Sequence, residues 1–278
     1  MPRSTRGQHT VITARRGWGG ADVAELWQFR SLFARFAARD VTLRYRQTLL
    51  GVVWVVAQPL LAAGVFSLVF GRVAKLPSGG TPYVVFSYAG LLCWTLFSGG
   101  VTKASGSLVG NATLVSKVYF PRMLLPLSTI VSGLLDFIVS LALMIVLLAI
   151  YGISPGVGVL TLPIWLFLTV VLASGAGLLL SSLVVRYRDI NYVLPIVTQF
   201  LLYASPVAYA LTTVPRSVRV YFVINPLTGL LEAFRWSLLN TGHLPLGEVV
   251  YSAVAGVVVF VAGVVAFTRV ERSFADVI

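Results

Sequence analysis

Apolar positions in this chain gather into six long runs, at about residues 49–70, 83–101, 123–151, 160–185, 192–211 and 249–268, with short polar or basic segments between them. A helix rises about 1.5 Å per residue and a bilayer's hydrocarbon core is roughly 30 Å thick, so a run near twenty residues suits one crossing. The run at 83–101 is diluted by glycine and serine and is the weakest of the six. The pattern predicts an all-α integral membrane protein with six transmembrane helices.

The segments between the runs have patterns of their own. Residues 22–46, "DVAELWQFRSLFARFAARDVTLRYR", place Leu26, Phe29, Phe33 and Phe36 at helical spacing, with Glu25, Gln28, Arg35, Arg39 and Arg46 along another face. That spacing predicts an amphipathic helix in the headgroup plane, joined directly to the first span. Residues 1–21 are polar and basic and read as a flexible cytoplasmic segment; they lack the apolar core and small-residue cleavage site of a signal peptide. Residues 47–278 make up the transmembrane unit. The connection 102–122, "TKASGSLVGNATLVSKVYFPR", reads as a short cytoplasmic helix. Between the last two runs lie two apolar pieces too short to cross, 218–224 and 227–239, separated by Asn225 and Pro226. An asparagine side chain can cap free amides, and proline suits a first helical turn where no donor is needed. An extracytoplasmic re-entrant helical pair is expected there, with Glu232 and Arg235 meeting three residues apart on one face.

Charge orients the chain. Of its 21 Lys and Arg residues, 16 fall on the side that carries both termini and five on the other. Basic flanks are retained in the cytoplasm during insertion, so both termini are expected there. Composition agrees with a bilayer: 58% apolar, 11% charged, with a mean hydropathy of +0.90. The net charge of +12 does not read as nucleic-acid binding, because the basic residues cap apolar runs instead of interleaving with stacking aromatics. One cysteine, Cys93, allows no intrachain disulfide, and two histidines offer no metal cluster.

Candidate chemistry is sparse. Asp136, in "SGLLDFIVS", lies inside the third run, where a carboxylate is costly; it reads first as a buried structural hydrogen bond. No second acidic residue within a run supports a proton relay or a paired-carboxylate site. The phosphate-loop pattern needs glycine before lysine, whereas the three lysines follow Ala74, Thr102 and Ser116. Uphill transport would therefore draw on an ion gradient or on a separate ATPase. Gln58 and Pro59 fall near mid-membrane in the first run, where a proline's freed carbonyl is tolerated beside a helix or a wet path. Ala173, Gly177 and Ser181, four apart, and Gly256 and Gly263, seven apart, predict close helix packing within one chain or between two.

Five stretches resemble a known family: "RDVTLRYRQTLLGVVWVVAQPLL", "FSLVFGRVAKLPSGGTPYVVFSYAGLLCWTLFS", "NATLVSKVYFPRMLLPL", "VRYRDINYVLPIVTQFLLYASPVAY" and "NPLTGLLEAFRW". They are similar, in order and from about residue 22 onward, to the ABC-2 permeases that export polysaccharides, among them O-antigen, capsule, teichoic-acid and galactan exporters. Cys93 departs from the proline that many relatives carry before the tryptophan. The resemblance implies a homodimer in the cytoplasmic membrane, in contact with membrane lipids, that moves a lipid-linked polysaccharide outward. It further implies no cofactor or catalytic residue in the chain itself, ATP and Mg being bound by a partner ABC ATPase subunit. It also implies coupling to that ATPase through Glu25, Arg39, Arg44, Asn111, Lys117, Tyr119, Phe120 and Arg122. The channel lining would be Gln58, Phe66, Phe70, Phe200, Tyr203 and Tyr209, and the outer gate Asn225, Pro226, Glu232 and Arg235. An ABC-2 exporter of a drug or lipid, and a membrane-embedded glycosyl or lipid transferase, stay open as alternatives.

Overall fold

The computed structural model describes residues 23–46, 51–241 and 243–271, and for 23–25, 44–46, 51, 52 and 216 the backbone alone. The segment 1–21, expected to be flexible and cytoplasmic, lies outside the described residues. No strand occurs among those described. The described residues form eleven α-helices, in order: α1 (Val23–Gln28), α2 (Arg30–Arg46), α3 (Gly51–Phe66), α4 (Tyr83–Gly110), α5 (Ala112–Lys117), α6 (Leu124–Ile150), α7 (Leu162–Arg186), α8 (Ile190–Ala204), α9 (Arg216–Val223), α10 (Leu227–Leu239) and α11 (Leu246–Glu271).

Five of the described helical stretches are long and apolar enough to cross a bilayer: Val53–Val73, Tyr83–Gly110, Leu124–Ile150, Val157–Arg186 and Leu246–Glu271. The first continues from α3 through a wider π-helical stretch, Ser67–Val73, and Pro59 lies inside α3 without ending it. The sixth expected span is shorter than the sequence suggested. α8 stops at Ala204, not near 211, and its 15 residues rise about 22 Å. Ser205 is extended, as the residue before a proline prefers, and Pro206 cannot continue the helical hydrogen bonding. Residues 205–211 fold back against α10 instead. The amphipathic segment is likewise two helices, α1 and α2, broken at Phe29.

The run that sequence ranks weakest is the centre of the molecule. In α4, 78% of the apolar window is buried, against 22–33% in the other four. The glycines and serines that dilute its hydropathy let α3, α6, α7 and α10 approach it closely, so its surroundings are protein and not lipid. The small residues of α7 serve the same purpose within the chain. A methyl added at Gly177 would press on Ala104 of α4, and one at Gly100 would touch Ala173. On the opposite side α7 meets α11, where Gly263 packs on the carbonyl of Gly175 and leaves no room for a Cβ. Tyr88 crosses to α6, its hydroxyl donating to the Ser140 carbonyl at 3.0 Å.

Candidate functional site

At one end of the bundle α2 lies across the connection between α4 and α6. Phe36 is buried and meets the ring of Phe120 edge-on, with centroids 5.4 Å apart. Leu26, Phe29, Leu32 and Phe33 pack on the same cluster, which includes Val115, Met123, Leu124 and Phe267. This is the apolar face that the helical spacing predicts. Arg39 joins the polar side: its Nη2 donates to Asn111 Oδ1 at 3.0 Å and to Asp40 Oδ1 at 3.1 Å, and its guanidinium lies 5.5 Å from the Phe36 ring centroid. Asn111 in turn donates through Nδ2 to the Ser107 carbonyl at 2.8 Å. Arg122 faces the end of α11, its amide donating to Glu271 Oε1 at 3.1 Å and its Nη1 to the Glu271 carbonyl at 3.0 Å.

Of the expected coupling residues, Arg39 and Asn111 therefore meet directly, and Phe120 joins them through the Phe36 ring that Arg39 also covers. Lys117 and Tyr119 project outward beside them, with Tyr119 63% exposed. Glu25 and Arg44 lie on the backbone of α1 and α2, and their side chains lie outside the described region. The result is an exposed knuckle at 117–119, backed by α2 and by the ends of α4, α6 and α11.

Deeper in the bundle, Gln58 and Pro59 of α3 line a cavity of about 360 Å³ together with Trp94, Lys103 and Asp136. Asp136 is not simply hydrogen-bonded: Lys103 Nζ donates to its Oδ2 at 2.9 Å, an ion pair between α4 and α6. Sequence reading missed Lys103 because the apolar run ends at 101, whereas α4 continues in register to Gly110. The signal was there, since "TKASGSLV" holds no proline and keeps Ala104 and Leu108 on the buried face of the helix, where Ala104 meets Gly177 of α7.

The aromatic residues expected to line a channel do not share one surface. Phe66 is buried in the main core, edge-on to a half-buried Phe70 at 5.7 Å, and offers no open face within the chain. Phe200 and Tyr203 project from α8 and are 72% and 54% exposed. Tyr209 is half-buried; its hydroxyl donates to the Tyr203 carbonyl at 2.8 Å and its ring meets Phe222 edge-on at 6.0 Å.

At the opposite end α9 and α10 form the expected hairpin of short helices. Asn225 Oδ1 accepts from the Leu227 amide at 3.0 Å, while its Nδ2 donates to Ser205 Oγ at 2.8 Å, so one side chain both starts α10 and holds the end of α8. Pro226 occupies the position before the first helical residue. Glu232 and Arg235 pair at 3.0 Å, as their spacing predicts. Their wider role was not legible. Arg235, only 3% exposed, also donates to the carbonyls of Tyr209 at 3.1 Å, Val207 at 2.6 Å and Pro206. Its guanidinium sits 4.3 Å from the ring centroid of Phe86 on α4, and Glu232 accepts the Leu211 amide at 3.0 Å. The carbonyls of the segment that folds back after α8 are thus collected by one buried cation.

A bundle of apolar helices with a basic, amphipathic knuckle at one end and a pinned helical hairpin at the other defines a multi-pass membrane protein. Residues 31–239 match the ABC-2 type transporter family, and the chain belongs to that family. It is 30% identical over 254 residues to an O-antigen export system permease protein, RfbA, of Myxococcus xanthus, covering 90% of this chain and 96% of that protein. The RfbA permease of Klebsiella pneumoniae is 27% identical over 241 residues, covering 86% and 92%. A polysialic acid transport protein, KpsM, of Escherichia coli is 25% identical over 210 residues, covering 72% and 78%.

Proposed function

We propose that this chain is the permease of an ATP-driven exporter that carries a lipid-linked polysaccharide outward across the cytoplasmic membrane. The observation that carries the reading is the similarity, over nearly the full length of both chains, to permeases of O-antigen export systems. Two copies would enclose the path, and each would bind a separate nucleotide-binding subunit that holds ATP and Mg. Both termini and the 117–119 knuckle face the cytoplasm in this reading, in keeping with the 16 to 5 division of basic residues.

The knuckle is where the partner would push. Lys117 and Tyr119 are exposed for contact, and Arg39, Asn111 and Phe120 lock α2 to the connection behind them. Through Arg122 the same contact reaches the end of α11. A rigid, packed junction transmits displacement because interdigitated side chains repack only between discrete arrangements. At the outer end, Arg235 joins residues 206–209 to α10, so the α8 end and the hairpin would swing together as the gate. Exposed Phe200 and Tyr203 on α8 supply flat apolar faces for sugar rings.

The test is reconstitution of the chain with its partner ATPase in proteoliposomes. A lipid-linked glycan is expected to stimulate ATP hydrolysis and to appear in the opposite compartment. Stimulation by a small apolar drug, with none by the glycan, would overturn the reading in favour of a drug or lipid exporter.

A further inference from the structure

Three cavities, of about 360, 390 and 500 Å³, share Lys103 as a lining residue. The first reaches Gln58 on α3, the second reaches Asp40 and Val41 on α2, and the third reaches Gln199 on α8. Asp136 lines the first two. At helical rise Lys103 lies about 10 Å inside the Gly110 end of α4, and Asp136 about 18 Å inside the Leu124 end of α6. The pair therefore stands well within the bundle, where space beside α2 meets space beside α3 and α8.

Two ions at that depth are expensive, and apolar side chains would join two helices at lower cost. α4 and α6 do not depend on the pair, since Gly100 packs directly on Ile130 and Tyr88 bonds to Ser140. What the pair adds is hydrogen-bonding capacity of both kinds, donors from the ammonium and acceptors from the carboxylate. The Lys103 ammonium has three donors and is one-third exposed; Asp136 takes one of them among the described residues. Around it the cavities present two amides, Gln58 and Gln199, both exposed, and the oxygens of Ser98 and Thr102. Ser98 spends its proton on the Trp94 carbonyl, which leaves its oxygen to accept. An ammonium held beside a carboxylate, among amides and hydroxyls, offers the mixed donors and acceptors that complement an uncharged polyhydroxylated ligand. A polyanion would meet Asp136 and a polycation Lys103.

We propose that Lys103 and Asp136, with Gln58 and Gln199, form a sugar-binding station on the transport path that selects neutral glycan segments over polyanionic ones. The proposal rests on the export reading above and adds the substrate class. Lys103 donates to ring or hydroxyl oxygens of the passing sugar, and Asp136 keeps the station from attracting carboxylate- or phosphate-rich polymers.

The experiment uses the full chain and its partner ATPase in proteoliposomes, with two probes: a polyprenyl-pyrophosphate-linked mannose oligomer and the same carrier bearing a sialic acid oligomer. Wild type is expected to turn over faster with the mannose probe. Asp136→Asn removes the negative charge and is expected to shift the mannose-to-sialic-acid rate ratio by about tenfold or more toward the anion. Lys103→Met is expected to lose the mannose response, and Lys103→Arg to restore part of it. A photoactivatable mannose probe in nanodiscs is expected to cross-link near Lys103 on α4 and Gln199 on α8. Equal loss with both probes in Asp136→Asn, together with a lower melting temperature, would make the pair a structural brace and overturn the station. So would wild-type export of mannose with cross-links only elsewhere. If wild type responds to neither probe, the export reading itself fails and the station falls with it.

Discussion

Arg235 shows how much one side chain can hold. It satisfies three carbonyls of the segment that folds back after α8, those of Pro206, Val207 and Tyr209, and it keeps Glu232 paired in a site almost closed to solvent. Removing it leaves buried oxygens without a donor and a carboxylate without its cation, which costs about 3–5 kcal/mol. Arg235→Met is therefore expected to lower the melting temperature of the purified permease sharply, as read by tryptophan fluorescence in nanodiscs. Lys at the same position cannot span the same carbonyls with a planar fork and should recover little. Gly90 belongs to the same construction. A Cβ there would stand 2.6 Å from the Val207 carbonyl and 2.9 Å from the Arg235 guanidinium, so Gly90→Ala should cost about 1–3 kcal/mol by overpacking. A Gly90→Ala protein as stable as wild type would show that this approach is looser than the geometry implies.

Among the elements, α2 and the knuckle separate folding from contact. Phe36 and Phe120 are buried against each other, whereas Tyr119 stands mostly in the open. Tyr119→Ala should thus leave stability within about 0.5 kcal/mol of wild type. It is expected to weaken binding of the partner ATPase, measured by co-purification or by surface-immobilised nanodiscs. Unchanged binding would move the docking site away from the knuckle. The apolar face that runs from α1 through Phe29 into α2 was legible because helical periodicity is a local property of residues 26–36. The partners of Arg39 were not, because Asn111 lies 72 residues further along the chain and nothing local links them. For the same reason the sequence pattern assigns Lys103 to a short cytoplasmic helix outside the span. Hydropathy falls where small residues replace large ones, and it cannot distinguish a helix wrapped by protein from a polar connection.

For the molecule as a whole, the orientation can be checked with the chain's own chemistry. Cys93 is the single cysteine and is fully buried in α4, so it should stay silent toward a membrane-impermeant maleimide. Lys117→Cys and His243→Cys are both exposed sites at opposite ends of the bundle. In inside-out vesicles only the first is expected to react, and in right-side-out vesicles only the second. Labelling of both from one side would contradict the crossing pattern. Assembly has a physical motive as well: α3 and α8 carry long exposed apolar faces that a bilayer or a second copy must cover.

The amino-acid sequence by itself determined that the chain is an all-α membrane protein, where its five long apolar helices lie, and where the α9–α10 hairpin begins. Those features depend on hydropathy, helical period and capping chemistry, all of which act over a few neighbouring residues. Only the tertiary structure decided that the least apolar span is the most buried, that α8 ends early, that Phe66 is core, and that Lys103 and Arg235 are the cations that matter inside the bundle. Each of these depends on which atoms meet across tens of residues of chain. A lysine becomes an intramembrane ion-pair partner, and a small residue a contact point, only when another helix is placed against it.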